Sequence, residues 1–378
     1  MRNGHRGFGV HIAAISLVLL AMLGLSSVAF AQGSPWVQGT PRFLAIPGGN
    51  PEQAIAESMV GANVPVFTNH FIFNAQQFNY TMVGTDPANG SATSKIKVRI
   101  IPLKFVFAGG SGGSLSAKDL VCGDTQTAAS RTEKSPLFKK ATYTPGGINV
   151  GTVGYIDAFQ RANFWNFVGT TAPDYHVKLK APARLELPLQ TINVPANKGG
   201  SSPGPCANIG QVDINFFDSI AQGLITSLGI PSNELPLFLS YNTFWTQGGC
   251  CILGYHSVTG ANNTYAVGAY SDPGIFNAAN IQDIHALSHE LAEWLDDPFI
   301  NNIVPAWGHI GQQPGCQNNL EVGDPVTGNG FNQVFNGKTF HPEDLVFLSW
   351  FARDAPSKAV AGFYSFTNSV GPPQGVCH

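Results

Sequence analysis

The stretch from Ala279 to Leu295 constrains this chain more than any other. At about 100° per residue, Ile281, Ile284, Ser288, Leu291 and Leu295 fall on one arc, with Leu287 and Trp294 at its edge. The spacing predicts a helix from about Ala279 to Leu295, ended by Asp297-Pro298, with that arc turned to a core. His285, His289 and Glu293 then form a stripe beside the arc, each four residues from the next. Such a row is fixed by packing yet sits on the flank of the helix, as a row of metal ligands must. The same stretch reads His289-Glu290-Leu291-Ala292-Glu293, one residue away from the His-Glu-x-x-His signature of zinc hydrolases.

On this helix His289 and Glu293 supply two ligands to one ion. Catalytic zinc takes three protein ligands and a water, so a third must come from elsewhere. The segment Cys316-Gln-Asn-Asn-Leu-Glu321-Val-Gly-Asp324 resembles the gluzincin pattern, in which a downstream Glu completes the site and a following Asp supports a His ligand. That resemblance makes Glu321 the third ligand and Asp324 the support for His289. His285 competes as an additional ligand, but eight residues of helix span about 12 Å, which strains a shared ion. Glu290 stands where the general base for metal-activated water belongs. An oxyanion donor is also needed. His309, His256, His341 and Tyr255 are candidates, and His309 comes first because Trp307-Gly-His309 lies between the helix and Glu321. A set with two carboxylates is harder and more anionic than two histidines and one Glu. Zinc is the expected metal, with manganese, iron or calcium also accommodated. Asp296 and Asp297 read more simply as turn residues at the helix end.

The N-terminus reads as a secretory signal: Arg2, His5 and Arg6, an apolar run from Ile12 to about Phe30, then Ala29-Phe30-Ala31. Residues 1–31 are therefore expected to be removed by a cut before Gln32, with export from the cell. Losing Arg2 and Arg6 leaves 18 basic against 23 acidic residues, moving the formal charge from -3 to -5. With no basic stripe, nucleic acid is not an expected partner. No later apolar run is comparable, so stable membrane insertion is not expected either. Charged residues are only 11% of the chain, against about 25% in an average soluble protein. Gly, Pro, Asn and aromatics fill the difference, which suits a loop-rich, largely β extracellular protein. All six cysteines lie beyond the signal, and an even count in an exported chain predicts up to three disulfides. Cys250 and Cys251, being adjacent, are expected to pair with different distant partners.

Local patterns place the other elements. Lys95–Phe107 and Tyr175–Lys180 alternate as strands, the first expected to break near Pro102. Tyr155–Phe167 suggests a short helix, and Val212 to Leu228 an amphipathic one. Leu235–Tyr241 reads as a strand, and Cys251–Ser257 with Thr264–Tyr270 as a hairpin. The Gly/Pro/Ser-rich stretch 192–205 reads as a linker or long loop. It divides a β-rich N-terminal region, 32–200, from a metal-binding region, 201–378.

Ser288-His-Glu-Leu-Ala-Glu293, the Asp-Pro that follows and the later Glu-x-x-Asp resemble a group of exported, zincin-like proteins. The plant phosphate-induced (exordium-like) proteins carry a similar segment. The resemblance covers about residues 285–325. It implies an α+β, zincin-like metallopeptidase domain joined to a β-rich N-terminal half. Within it, His289, Glu293 and Glu321 would be ligands and Glu290 the base. The expected activity is that of a secreted metal-dependent hydrolase, a zinc metallopeptidase acting on a peptide or protein. The alternative is a non-catalytic extracellular protein with a structural metal, binding cell-wall or surface material.

Overall fold

Five strands and four helices position the site in this computed structural model. The strands are β1 (Arg42–Ile46), β2 (Thr93–Phe107), β3 (Glu234–Tyr241), β4 (Ile252–Val258) and β5 (Thr264–Tyr270). The helices are α1 (Pro51–Met59), α2 (Tyr155–Asn163), α3 (Ile214–Ser227) and α4 (His285–Asp296). The described residues are 36–37, 39–181 and 187–378, with Met1. The chain divides into units Met1–Phe30 and Ala31–His378, and all that follows concerns the second. The signal segment and its cleavage site before Gln32 lie outside the described residues.

All five strands belong to one mixed sheet of 11 strands. β3 is central, parallel to β2 on one side and to β5 on the other. β4 pairs antiparallel with β5 and parallel with β1. Alternation along β3 sends Leu235, Leu237 and Leu239 into one core and Phe238 into a second. α3 covers the second core with Phe217, Ala221 and Ile225. α4 lies in contact with β4 and β5, and its Leu287, Leu291 and Leu295 join the first core. Burying each such leucine stabilises the fold by roughly 1.5–3 kcal/mol. A further hairpin, β6 (Ile303–Ile310) and β7 (Gln313–Asn319), follows α4.

The sheet comes close to closing on itself. Its path runs from Gly199–Ser202 at one end to Gly113–Ser116 at the other. Gly110, just beyond β2, makes a parallel bridge to Ser201 between those ends. Gly110 has φ +66, and a Cβ there would lie 2.1 Å from the Ser201 carbonyl oxygen, so only glycine fits.

This architecture overturns the expected α+β, zincin-like fold. Strands dominate, and the large curled mixed sheet is the organising element. Only four helices among the described residues reach nine residues. The expectation rested on one helix, and a ligand-bearing helix can be laid on many kinds of sheet. The stretch 192–205 is not a linker: it contributes to strands Gln190–Val194 and Gly199–Ser202 of the same sheet. Strands from both sides of residue 200 pair directly, β2 with β3 among them. Pro102 does not end its strand, because β2 continues past it and exchanges β3 for Gly113–Ser116 as a neighbour.

Three disulfides are present: Cys122–Cys206, Cys250–Cys251 and Cys316–Cys377. The expectation for Cys250 and Cys251 is therefore corrected, since the adjacent pair bonds to itself. The bonds fit an oxidising compartment. Among the described residues no helix is long and apolar enough to cross a membrane.

Candidate metal centre

α4 is buried along its whole length. Two glycines allow this. Gly254 on β4 and Gly268 on β5 face each other across the ladder. A Cβ on Gly254 would lie 2.5 Å from Glu290 Cγ, and one on Gly268 would lie 2.7 Å from Leu287 Cδ2. Without side chains at this pair, the helix drops onto the sheet. Gly254→Ala should therefore destabilise the protein by about 1–3 kcal/mol through overpacking. Urea unfolding checks this, and a change within about 0.5 kcal/mol would contradict the packing account.

His256 is two residues along β4 from Gly254 and so shares its face, towards α4. Its Nδ1 is 3.3 Å from Glu290 Oε2 and 3.8 Å from Glu293 Oε2. Its Nε2 is 4.0 Å from Glu321 Oε2. Glu293 is the middle of the cluster. Its Oε1 lies 2.9 Å from His289 Nε2 and accepts the backbone N–H groups of Gly323 (3.1 Å) and Asp324 (3.3 Å). Asp324 Oδ1 is 3.6 Å from His289 Nε2. Two sets of ligand atoms thus share Glu293: His256, Glu290 and Glu293 form one, and His289, Glu293 and Asp324 the other. Within each set all the atoms lie within 4.8 Å of one another. With metal–ligand bonds of about 2.0–2.2 Å, an ion in either set would need only small side-chain adjustments.

The ligand side of His289 is Nε2, because Nδ1 is taken by Glu343 Oε2 at 2.6 Å. Glu343 also accepts the Gly328 N–H at 3.1 Å and lies 3.4 Å from His285 Nε2. Its own N–H is bonded to Ser288 Oγ, which donates to the His285 carbonyl. Glu343 is thus the carboxylate that orients the His289 ring, the part sequence reasoning gave to Asp324. Asp324 instead stands on the Nε2 side. Three amides from the β6–β7 hairpin hold it: Gln312 at 2.5 Å, Gln313 at 3.0 Å and Gln317 at 3.0 Å. Gly323 brings this segment close, since a Cβ there would lie 2.2 Å from His289 Nδ1.

The sequence-predicted residues His289, Glu290, Glu293, Glu321 and Asp324 come together in this cluster. Glu321 reaches it beside His256 and Glu293, with Asn319 bonded to its other oxygen at 3.2 Å. His285 is at its edge, against Glu343. His309 is elsewhere. It is exposed on the β6–β7 hairpin, near the disulfide-bonded Cys316 and Cys377 rather than in the cluster. His341 is held 2.6 Å from Asp283. Tyr255 points into the second core, packed on Trp245 and Tyr265.

Burial dominates the electrostatics. It pushes His256 down to about 4, leaving the ring neutral and able to bind a cation. Burial also raises Glu290 and Glu321 well above the carboxylate range, reinforced in both by the neighbouring Glu293 charge. Asp324 rises to about 6 for the same two reasons. At His289 burial opposes protonation, but Glu293, Glu343 and Asp324 outweigh it and hold the pKa well above the usual value. So many carboxylates in one dry volume leave a shortage of positive charge that a divalent cation would relieve. Polar atoms remain without hydrogen-bond partners here: Nε2 of His256, Nε2 of His289, Oε1 of Glu290 and Oε2 of Glu321. His289 Nε2 is close to Glu293 but not in hydrogen-bond alignment with it.

Sequence reasoning had placed His256 only among oxyanion candidates, and it missed Glu343. The His256 signal was available: alternation through Gly254-Tyr255-His256 sets that ring on the same face as the glycine the helix needs. Glu343, in Pro342-Glu343-Asp344, has no periodic context to mark it. Comparison of the chain with protein-family models, curated proteins and solved structures finds no match.

Proposed function

We propose that this chain is an exported metal-dependent hydrolase, with zinc as the favoured metal and a peptide or protein as substrate. The observation that carries the reading is the buried cluster around Glu293, in which Nε2 of His256, Nε2 of His289, Oε1 of Glu290 and Oε2 of Glu321 each have no hydrogen-bond partner. Each of the two sets around Glu293 offers one imidazole and two carboxylates, a donor set that zinc accepts and that tolerates manganese or iron. His256 brings an imidazole from β4 to one set, as His289 does from α4 to the other. A bound metal would polarise a substrate carbonyl and acidify water. An ion held by His289, Glu293 and Asp324 would leave Glu290 unligated, as the carboxylate that takes the water proton and returns it to the leaving group. Glu343 fixes the His289 ring through Nδ1.

A second reading, a metal that only braces the fold, is favoured by burial. His256, His289 and Glu290 are 0% exposed, Glu293 1% and Glu321 2%. One paired experiment separates the two: metal content, and cleavage of a mixed peptide library by wild type and Glu290→Gln. Hydrolysis that falls by about 100-fold or more in the variant, with folding intact, supports the enzyme. Bound metal without Glu290-dependent cleavage supports the bracing role.

A further inference from the structure

One strand lies directly over the ligand row. β1 is short and isolated in sequence, and it fills the edge of β4 that β5 does not occupy, with Phe43 opposite Gly254 and Ala45 opposite His256. The Phe43 ring stacks on the His289 imidazole, centroids 3.5 Å apart and planes 14° from parallel. The far side of β1 is held by one side chain. Gln312 accepts the Phe43 N–H (2.7 Å) and donates to the Phe43 carbonyl (3.1 Å), while also donating to Asp324 Oδ1 (2.5 Å). A single glutamine thus acts as a strand partner for β1 and as a support for a metal-ligand candidate.

These contacts recognise an extended backbone, not a particular sequence. Main-chain pairing with β4 and the Gln312 amide would serve any strand laid in the same place. Of the β1 side chains, the Phe43 ring stacks on His289, and Ala45 beside it carries only a methyl group. The attachment of β1 also suits a removable segment. Beyond Ile46 the turn Pro47-Gly48-Gly49-Asn50 is exposed. After it the chain is anchored: Asn50 caps α1 through Gln53 N, and its own N–H is bonded to Asn262 Oδ1 at 2.8 Å. These Asn50 contacts do not involve β1, which is held instead by β4, by Gln312 and by Arg42 donating to the Gln247 carbonyl at 2.7 Å.

We propose that the trough between β4 and Gln312 is a binding groove for extended polypeptide, with a subsite for an aromatic residue over His289, and that β1 is its internal occupant. The groove rests on strand geometry alone. That the bound peptide is then hydrolysed rests on the hydrolase reading above. Displacing β1 would uncover the face of His289 and with it the otherwise buried centre.

The test uses the full chain carrying a sequence-specific protease site inserted between Pro47 and Gly48. Uncut protein should not bind a fluorescent peptide bearing the Arg42–Ile46 sequence. Cut protein should bind it, and a peptide with Ala in place of the Phe should bind about tenfold more weakly. In the intact chain, Phe43→Ala should speed hydrogen exchange along β4 by about tenfold. That arm stands even if the cut chain fails to fold. Equal binding of the two peptides, or unchanged exchange in Phe43→Ala, would overturn the proposal. Running the binding assay with and without chelator, with metal content measured on the same samples, separates loss of the groove from loss of the metal.

Discussion

Replacing Glu293 with alanine is expected to abolish high-affinity metal binding. Glu293 belongs to both sets of ligand atoms, lying near His256 and near His289. Its removal takes a carboxylate from each and leaves Gly323 N–H and Asp324 N–H without their acceptor. Groups that merely hold a ligand in place are worth about 10–100-fold in affinity, so loss of the shared ligand should exceed about 100-fold. His256→Ala and His289→Ala should each weaken binding less, because each touches one set. Competition against a chromophoric chelator measures all three. Affinity in Glu293→Ala within a fewfold of wild type would refute the shared-ligand geometry.

The second large effect is on stability. Glu343 is 0% exposed, and three groups depend on its carboxylate: His289 Nδ1, His285 Nε2 and Gly328 N–H. The two histidines hold the Glu343 pKa below its usual value against the opposing effect of burial. Glu343→Ala leaves His289 Nδ1 and the Gly328 N–H buried without their acceptor and should cost about 3–5 kcal/mol, the range for removing one partner of a buried ion pair. Glu343→Gln keeps an acceptor for Gly328 and should cost less. Urea denaturation at a fixed metal concentration checks both. A Glu343→Ala protein within about 0.5 kcal/mol of wild type would mean that His285 and His289 are satisfied without it.

The site was more legible in the sequence than the fold. Helical period alone brings His289 and Glu293 onto one flank of a buried helix, and α4 has them there. Glu321 and Asp324 followed from a pattern downstream, although their parts differ from those expected. What the helix could not announce was its neighbours. His256 comes from a strand and Glu343 from an irregular loop, and neither stands at a spacing that links it to the motif. The two cross-strand glycines, Gly254 and Gly268, were the overlooked cue, because they mark where a helix must come close. A motif on one helix does not determine the sheet on which that helix lies. The low charge and the long alternating stretch from Lys95 to Phe107 pointed to the extended sheet that the protein has. Glycine near residue 200 is no mark of a linker, because Gly199 and Gly200 permit close strand contacts. The cysteine pairing was missed for a related reason: adjacency was read as forbidding a bond that the chain makes.

Elemental analysis of the purified protein decides whether the cluster around Glu293 holds metal. About one tightly held divalent ion per chain is expected, zinc before manganese or iron, and lost in Glu293→Ala. A folded wild-type protein that holds no metal, even after refolding with zinc, manganese, iron and calcium in turn, would contradict the metal site.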